Sequence, residues 1–184
     1  MDMNFDVNKI FQERLASSMG LDKYIFIINQ LKRTDVSKDL LFQRTFNGFY
    51  IIRRNDAWRK VYYDYFENIK GESPTFSSII THLYAHTGNI EPSFSSKMLA
   101  TLFPDKPIWD QYVIKNLNME LVGRTKEERL ENSIVLYDDI ENWYLDFLQT
   151  KKASECIEAF DRVLPDYRQI PNIKKIDSIL WSIR

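Results

Sequence analysis

Apolar residues recur at three- and four-residue intervals along nearly the whole chain, and no stretch alternates apolar with polar for long enough to make a half-buried strand. That periodicity predicts an all-α fold of about nine helices packed as a two-lobed globule. A first stripe, Val7, Ile10, Phe11 and Leu15, begins after Asp6 and stops at Gly20, the order expected of an N-cap and a C-terminal glycine. A short helix follows Asp22. The segment from Ser37 through "KDLLFQRTFNGFYIIRR" carries Leu40, Leu41, Thr45, Phe49 and Ile52 as its apolar face, and Gly48 inside it predicts a kink or a close helix contact.

The next helix has the clearest rhythm: Trp58, Val61, Tyr62, Tyr65, Phe66 and Ile69 after an Asn55 cap, ending at Gly71. Phe76, Ile79, Ile80 and Leu83 mark a helix that stops at Gly88. Phe94, Met98, Leu102 and Phe103 mark another, which Pro104 terminates. Asp110 opens a helix bearing Val113, Ile114 and Leu117. Thr125 and Glu128 have capping-box spacing and start a run of about six turns through Leu130, Ile134, Tyr137, Tyr144 and Leu148. Two shorter helices, "SECIEAFDRVL" and "NIKKIDSILWSIR", are separated by Pro165 and Pro171. In the last, Ile173, Ile176, Leu180 and Ile183 form the stripe, so Asp177 reads as surface and Trp181 as core. There is no repeat or long linker, which implies one domain over residues 1–184, with a lobe boundary near 71–75 and the C-terminal helices returning across it.

Composition narrows the function classes. The chain has 184 residues, 44% hydrophobic and 14% aromatic, enough for a substantial core. Its 25 basic and 26 acidic residues leave a formal charge of −1, so no global field draws it to nucleic acid or anionic lipid, and a nucleic-acid site must be a local patch. The single cysteine, Cys156, excludes an intramolecular disulfide and an all-cysteine metal or iron–sulfur site, and predicts a buried thiol in a reducing cytoplasm. The N-terminus lacks the layout of a signal peptide, and no run reaches the length of a membrane span.

Three groups of residues are candidates for chemistry. Asp110 stands at a helix start beside Trp109, on the stiff connection "PDKPIWDQYV"; there the unpaired N–H groups of the first turn favour the ionised acid. Such an anion can stabilise a cationic transition state or orient a water, and it can equally be a plain N-cap. The basic residues Arg53 and Arg54, with Lys97, Lys106 and Lys115 around the Asp110 segment, form a candidate nucleic-acid patch. His82 and His86 are four apart on one helix face with Glu91 nearby, but the glutamate of the zinc-protease pattern is missing and no metal or other cofactor is expected.

The stretch "SFSSKMLATLFPDKPIWDQYVIKNL" resembles the second half of the helix-hairpin-helix motif of DNA glycosylases: small residues opening a helix, an apolar run, then Pro, apolar, apolar, Asp, and a helix with Val three residues on. The upstream "LLFQRTFNGFYIIRRNDAWRKVYYDYFENI" is similar to that family's early Gln-containing helix and the helix after it, so the likeness spans about residues 38 to 118. It implies a DNA partner, base release with Asp110 as the catalytic acid, and an aromatic pocket for a flipped base to which Tyr50, Trp58 and Trp109 are candidates. Two features depart from the family. The hairpin reads "GNIEPSFSS" without the Gly-x-Gly that grips a phosphate. Lys97 precedes Asp110 by 13 residues, where the family's Schiff-base lysine stands about eighteen before, so base release without lyase chemistry is the expectation. The rival is a helical interaction protein that keeps the fold and has lost catalysis.

Overall fold

The structure is a computed structural model in which residues 20–183 are described. The stripe expected around Val7 to Leu15 lies outside them. The described residues are all-helical: α1 (Leu21–Leu31), α2 (Leu40–Tyr50), α3 (Asp56–Asn68), α4 (Phe76–Thr87), α5 (Pro92–Leu102), α6 (Gln111–Asn116), α7 (Lys126–Leu148), α8 (Lys151–Val163) and α9 (Asn172–Ser182), with a 3-10 turn at Pro165–Tyr167. Local chemistry sets most of these ends. The side chains of Asp39, Asn55, Asp110 and Thr150 accept backbone N–H bonds from the first turns of α2, α3, α6 and α8. Thr75–Ser78 and Thr125–Glu128 form reciprocal capping boxes on α4 and α7. Gly88 closes α4 in the left-handed conformation at φ 69°.

All nine helices contribute buried apolar side chains to one cluster. Helix α7 buries Ser133, Tyr137, Ile140, Tyr144 and Phe147, alternating four and three residues along one stripe. Helix α2 differs from its expected face. Leu40 and Leu41 are each 61% exposed, and the core belongs to Phe42, Phe46 and Tyr50, whose rings join Tyr62, Tyr63 and Phe66 of α3. The two leucines sit in the first turn, and the larger aromatic surface four residues apart wins the core position. The helix runs unbroken through Gly48, which does not lie against a neighbour: a Cβ there would meet nothing within 4 Å.

Helices α5 and α9 are wrapped on all sides, α9 through the unbroken buried run from Lys175 to Leu180. Every residue from Ser95 to Thr101 is buried, three hydroxyls and a lysine among them. The hydroxyls meet their hydrogen-bond needs locally: Ser95 donates to the Glu91 carbonyl at 2.9 Å, Ser96 to Ser93 at 2.9 Å and Thr101 to Lys97 at 2.7 Å. Helices α1 and α4 pack on α5, while α9 packs on α6, α7 and α8. Among the described residues no helix is long and apolar enough to cross a membrane.

Candidate functional site

The connection between α5 and α6 is pinned from two sides. The Tyr137 hydroxyl donates to the Pro107 carbonyl at 2.8 Å, and the Trp109 backbone N–H donates to the Ser96 hydroxyl at 2.9 Å. These bonds fix Asp110, the next residue, whose Oδ1 accepts the Tyr112 N–H at 2.9 Å as the cap of α6. Oδ2 makes no hydrogen bond among the described residues. Asp110 is thus both cap and wall of a cavity of about 100 Å³, which Tyr50, Lys97, Ile108, Lys174, Asp177 and Trp181 also line.

Lys97 reaches this cavity from α5. It is 8% exposed, its Nζ donates to the Tyr50 carbonyl at 3.1 Å, and its charge lies 5.2 Å from the Phe94 ring centre. Burial pushes its ammonium down to about 8, opposed by Asp110 and Asp177 and reinforced by Lys174. From α9 come Lys174 and Asp177. Asp177, 5% exposed, accepts the Lys174 ammonium at 2.9 Å on one oxygen and the Tyr144 hydroxyl at 3.0 Å on the other. It is a buried acid of the cavity wall, which corrects its assignment to the surface.

Burial also raises Asp110 above the ordinary carboxylate range, with the Tyr112 N–H and Lys97 pulling it down and Asp177 pushing it up. The helix-start N–H expected to favour the ionised acid does pull that way, and desolvation raises the acid by more. A carboxylate so placed is a stronger base than an exposed one.

The remaining predicted site residues divide. Tyr50 lines the cavity, its ring buried and its hydroxyl 3.3 Å from Thr101 Oγ1. Trp58 does not line it; it stacks on Tyr62 at 5.0 Å within the core. Trp109 faces a second, wider hollow bounded by Ile114, Lys115, Met119 and Arg129, and lies near-parallel to Phe76 at 6.3 Å. Lys97 was grouped with the surface cations, and its burial removes it from that patch. Arg54 is tied to Glu91, its Nη2 lying 2.7 and 2.8 Å from the two oxygens, and Lys106 pairs with Glu141 at 2.8 Å. Arg53 and Lys115 are exposed and make no ion pair among the described residues.

His82 stacks between Tyr65 at 3.5 Å and His86 at 4.0 Å, and His86 Nδ1 hydrogen-bonds the His82 carbonyl at 2.8 Å. No cluster of three or more His, Cys, Asp or Glu suited to a metal occurs among the described residues. Cys156 is buried, and desolvation pushes its thiol up to about 11.

Sequence reasoning missed Lys174, Asp177 and Ile51 as members of the site. Ile51 had a signal only in the structure: it ends α2 at φ 55°, ψ 47°, a left-handed conformation that is costly for a β-branched residue, and it stands 53% exposed where the cavity reaches solvent. Comparison with family models, with curated proteins and with solved structures returns no match for this chain.

Proposed function

We propose that this protein is a divergent relative of the helix-hairpin-helix DNA glycosylases, which releases a base from DNA by hydrolysis with Asp110 at the reacting centre. The observation that carries the reading is the convergence of Asp110 and Lys97, both from the segment bearing the resemblance, on one cavity. As the bond between sugar and base lengthens, positive charge grows on the deoxyribose. The ionised Asp110 stabilises that charge, or takes a proton from the attacking water through its free Oδ2. The Lys97 ammonium moderates the carboxylate, while Tyr50, Phe49 and Trp181 supply an aromatic surface near it. Exposed Arg53, two residues beyond the cavity mouth at Ile51, is suited to a backbone phosphate.

Duplexes carrying a panel of damaged bases, assayed for abasic-site formation with wild type and Asp110→Asn, test this. Release that disappears in the variant supports it; no release from any duplex ends it.

A second reading, a helical interaction module without catalysis, draws on the hairpin between α4 and α5. Its only glycine is Gly88, and the α5 N-cap position is held by Glu91, whose buried carboxylate is engaged by Arg54, so the hairpin lacks the glycine-lined backbone with which the family grips a phosphate. Absence of salt-sensitive DNA binding would favour this module.

A further inference from the structure

Leu41, Arg44 and Gly48 stand three and four residues apart on α2, with Ile51 three residues further on, so they share one side of the helix, and all four are exposed. A glycine in a helix interior is destabilising relative to alanine, and nothing within this chain requires one at Gly48. Its φ is not positive, and a Cβ there would meet nothing within 4 Å. The room it leaves lies on the outside of the molecule, where only a bound partner can use it for close approach.

Charge points to the kind of partner. Arg44 and Arg53 flank Gly48 in the chain, both are exposed, and neither makes an ion pair among the described residues. The acids nearest to them in sequence are engaged elsewhere: Asp39 caps α2 and accepts the Thr34 hydroxyl, and Asp56 pairs with Arg59. Glu91 holds Arg54. Two guanidiniums on either side of a point of close approach suit a row of phosphates, which accept their forked donors. From Leu41 to Ile51 the face runs about 15 Å, roughly four steps of a DNA strand at about 3.4 Å each. It ends at Ile51, on the rim of the cavity that Asp110 lines. The hairpin between α4 and α5, by contrast, reads "GNIEPSFSS" and lacks the Gly-x-Gly that holds a phosphate.

We propose that the exposed face of α2, from Arg44 to Arg53, is the track for the phosphate backbone of a DNA strand, with Gly48 at the closest approach and Ile51 where the strand meets the cavity. The choice of DNA rests on the glycosylase reading. The use of α2 in place of the hairpin goes beyond it, since it moves the phosphate grip to a helix face.

Fluorescence anisotropy of the full chain tests it, with a short labelled duplex that carries one tetrahydrofuran abasic-site analogue, titrated between about 50 and 200 mM salt. Arg44→Gln and Arg53→Gln should each weaken binding about eightfold at about 0.1 M salt and lower the slope of log affinity against log salt by about 1, as loss of one phosphate contact does. Gly48→Gln should weaken binding about tenfold or more while raising the thermal unfolding temperature, because glutamine is the better helix former. A substitution that merely upset the fold would lower both. Lys151→Gln, at an exposed cation of α8, should leave the slope unchanged. The proposal is overturned by wild type without salt-sensitive binding, by unchanged slopes in both arginine variants, or by undiminished binding in Gly48→Gln. It is overturned equally by a slope that falls as far in Lys151→Gln, which would mean diffuse attraction, or by displacement of the duplex by polyglutamate at equal charge concentration, which would assign the face to an acidic polypeptide. Base release with unchanged slopes in the α2 variants refutes the track and leaves the glycosylase reading standing; α2-dependent binding without base release does the reverse.

Discussion

Lys97 Nζ donates to the carbonyl of Tyr50 at 3.1 Å, which ties the buried centre of α5 to the last residue of α2. The residue after that carbonyl is Ile51, held in the left-handed region at φ 55° on the rim of the cavity. One ammonium therefore lines the site and secures the strained turn at its mouth. Strain and a buried cation both cost stability, and their meeting at one cavity beside Asp110 is the arrangement expected where function is favoured over stability.

The cost of Lys97 should be measurable through its pH dependence. Unfolded, the amine has its ordinary value of 10.5, and folded it has about 8. Between those values the unfolded chain binds the extra proton, so stability rises with pH across that window and the penalty is fully present below about 8. A displacement of this size corresponds to about 3 kcal/mol. Lys97→Met removes it, so the stability of the variant relative to wild type should fall by roughly that amount between pH 7 and 10.5 in urea unfolding. A difference that does not change with pH would contradict it.

Asp110 should separate stability from activity. Asparagine keeps an acceptor for the Tyr112 N–H and discards a charge whose burial raises the acid above its ordinary range. Because the folded state holds this proton more tightly, the penalty grows as pH rises from the unfolded value near 3.8 through the folded one. Asp110→Asn should therefore be at least as stable as wild type at pH 7 and lose any advantage near pH 3. Asp110→Ala loses the cap and about 1 kcal/mol. Either change should lower base release about 100-fold or more if the carboxylate stabilises the transition state.

Ile51→Gly should stabilise the protein. The side chain is 53% exposed, so little burial is lost, while glycine adopts φ 55° without steric cost. A left-handed residue other than glycine costs about 1–2 kcal/mol, of which the greater freedom of glycine in the unfolded chain returns part. A rise of roughly 0.5–1 kcal/mol in thermal or urea unfolding is expected, and destabilisation would mean that Ile51 contributes packing its exposure does not reveal.

Helix ends were the most legible part of this molecule, because caps act through residues two or three apart: Asn55, Asp110 and the Thr125–Glu128 box stand where the sequence predicts. Faces were less so. On α2 the adjacent leucines are as apolar as the aromatics they compete with, yet they sit outside, since only tertiary packing with α3 chooses among competing stripes. Helix α5 was opaque because Ser95, Ser96, Lys97 and Thr101 resemble a solvated face; the bonds their side chains donate to backbone carbonyls, invisible in periodicity, let them be buried. Asp177 was hidden for a related reason. Its partner Tyr144 is 33 residues away, and no local pattern joins them. The small residues of "SFSSKMLAT" were the available hint that a helix with a lysine in it ran through the core.

The Arg54–Glu91 pair makes the last prediction. Glu91 is almost wholly buried at the start of α5, and Arg54 Nη2 sits 2.7 and 2.8 Å from its two oxygens with its charge 5.8 Å from the Trp58 ring centre and 5.4 Å from that of Phe94. Burial raises Glu91 above its ordinary value while Arg54 holds it down. Arg54→Met therefore leaves a buried carboxylate alone and should cost roughly 2–3 kcal/mol at pH 7, toward the low end for such pairs because the arginine is partly exposed. The variant then binds a proton on Glu91 more tightly folded than unfolded, so its stability should improve as pH falls from 7 toward 5. Adding Glu91→Gln should restore most of the loss at pH 7 and abolish that pH dependence. A double variant no better than Arg54→Met alone would assign the cost to the cation–aromatic contacts instead.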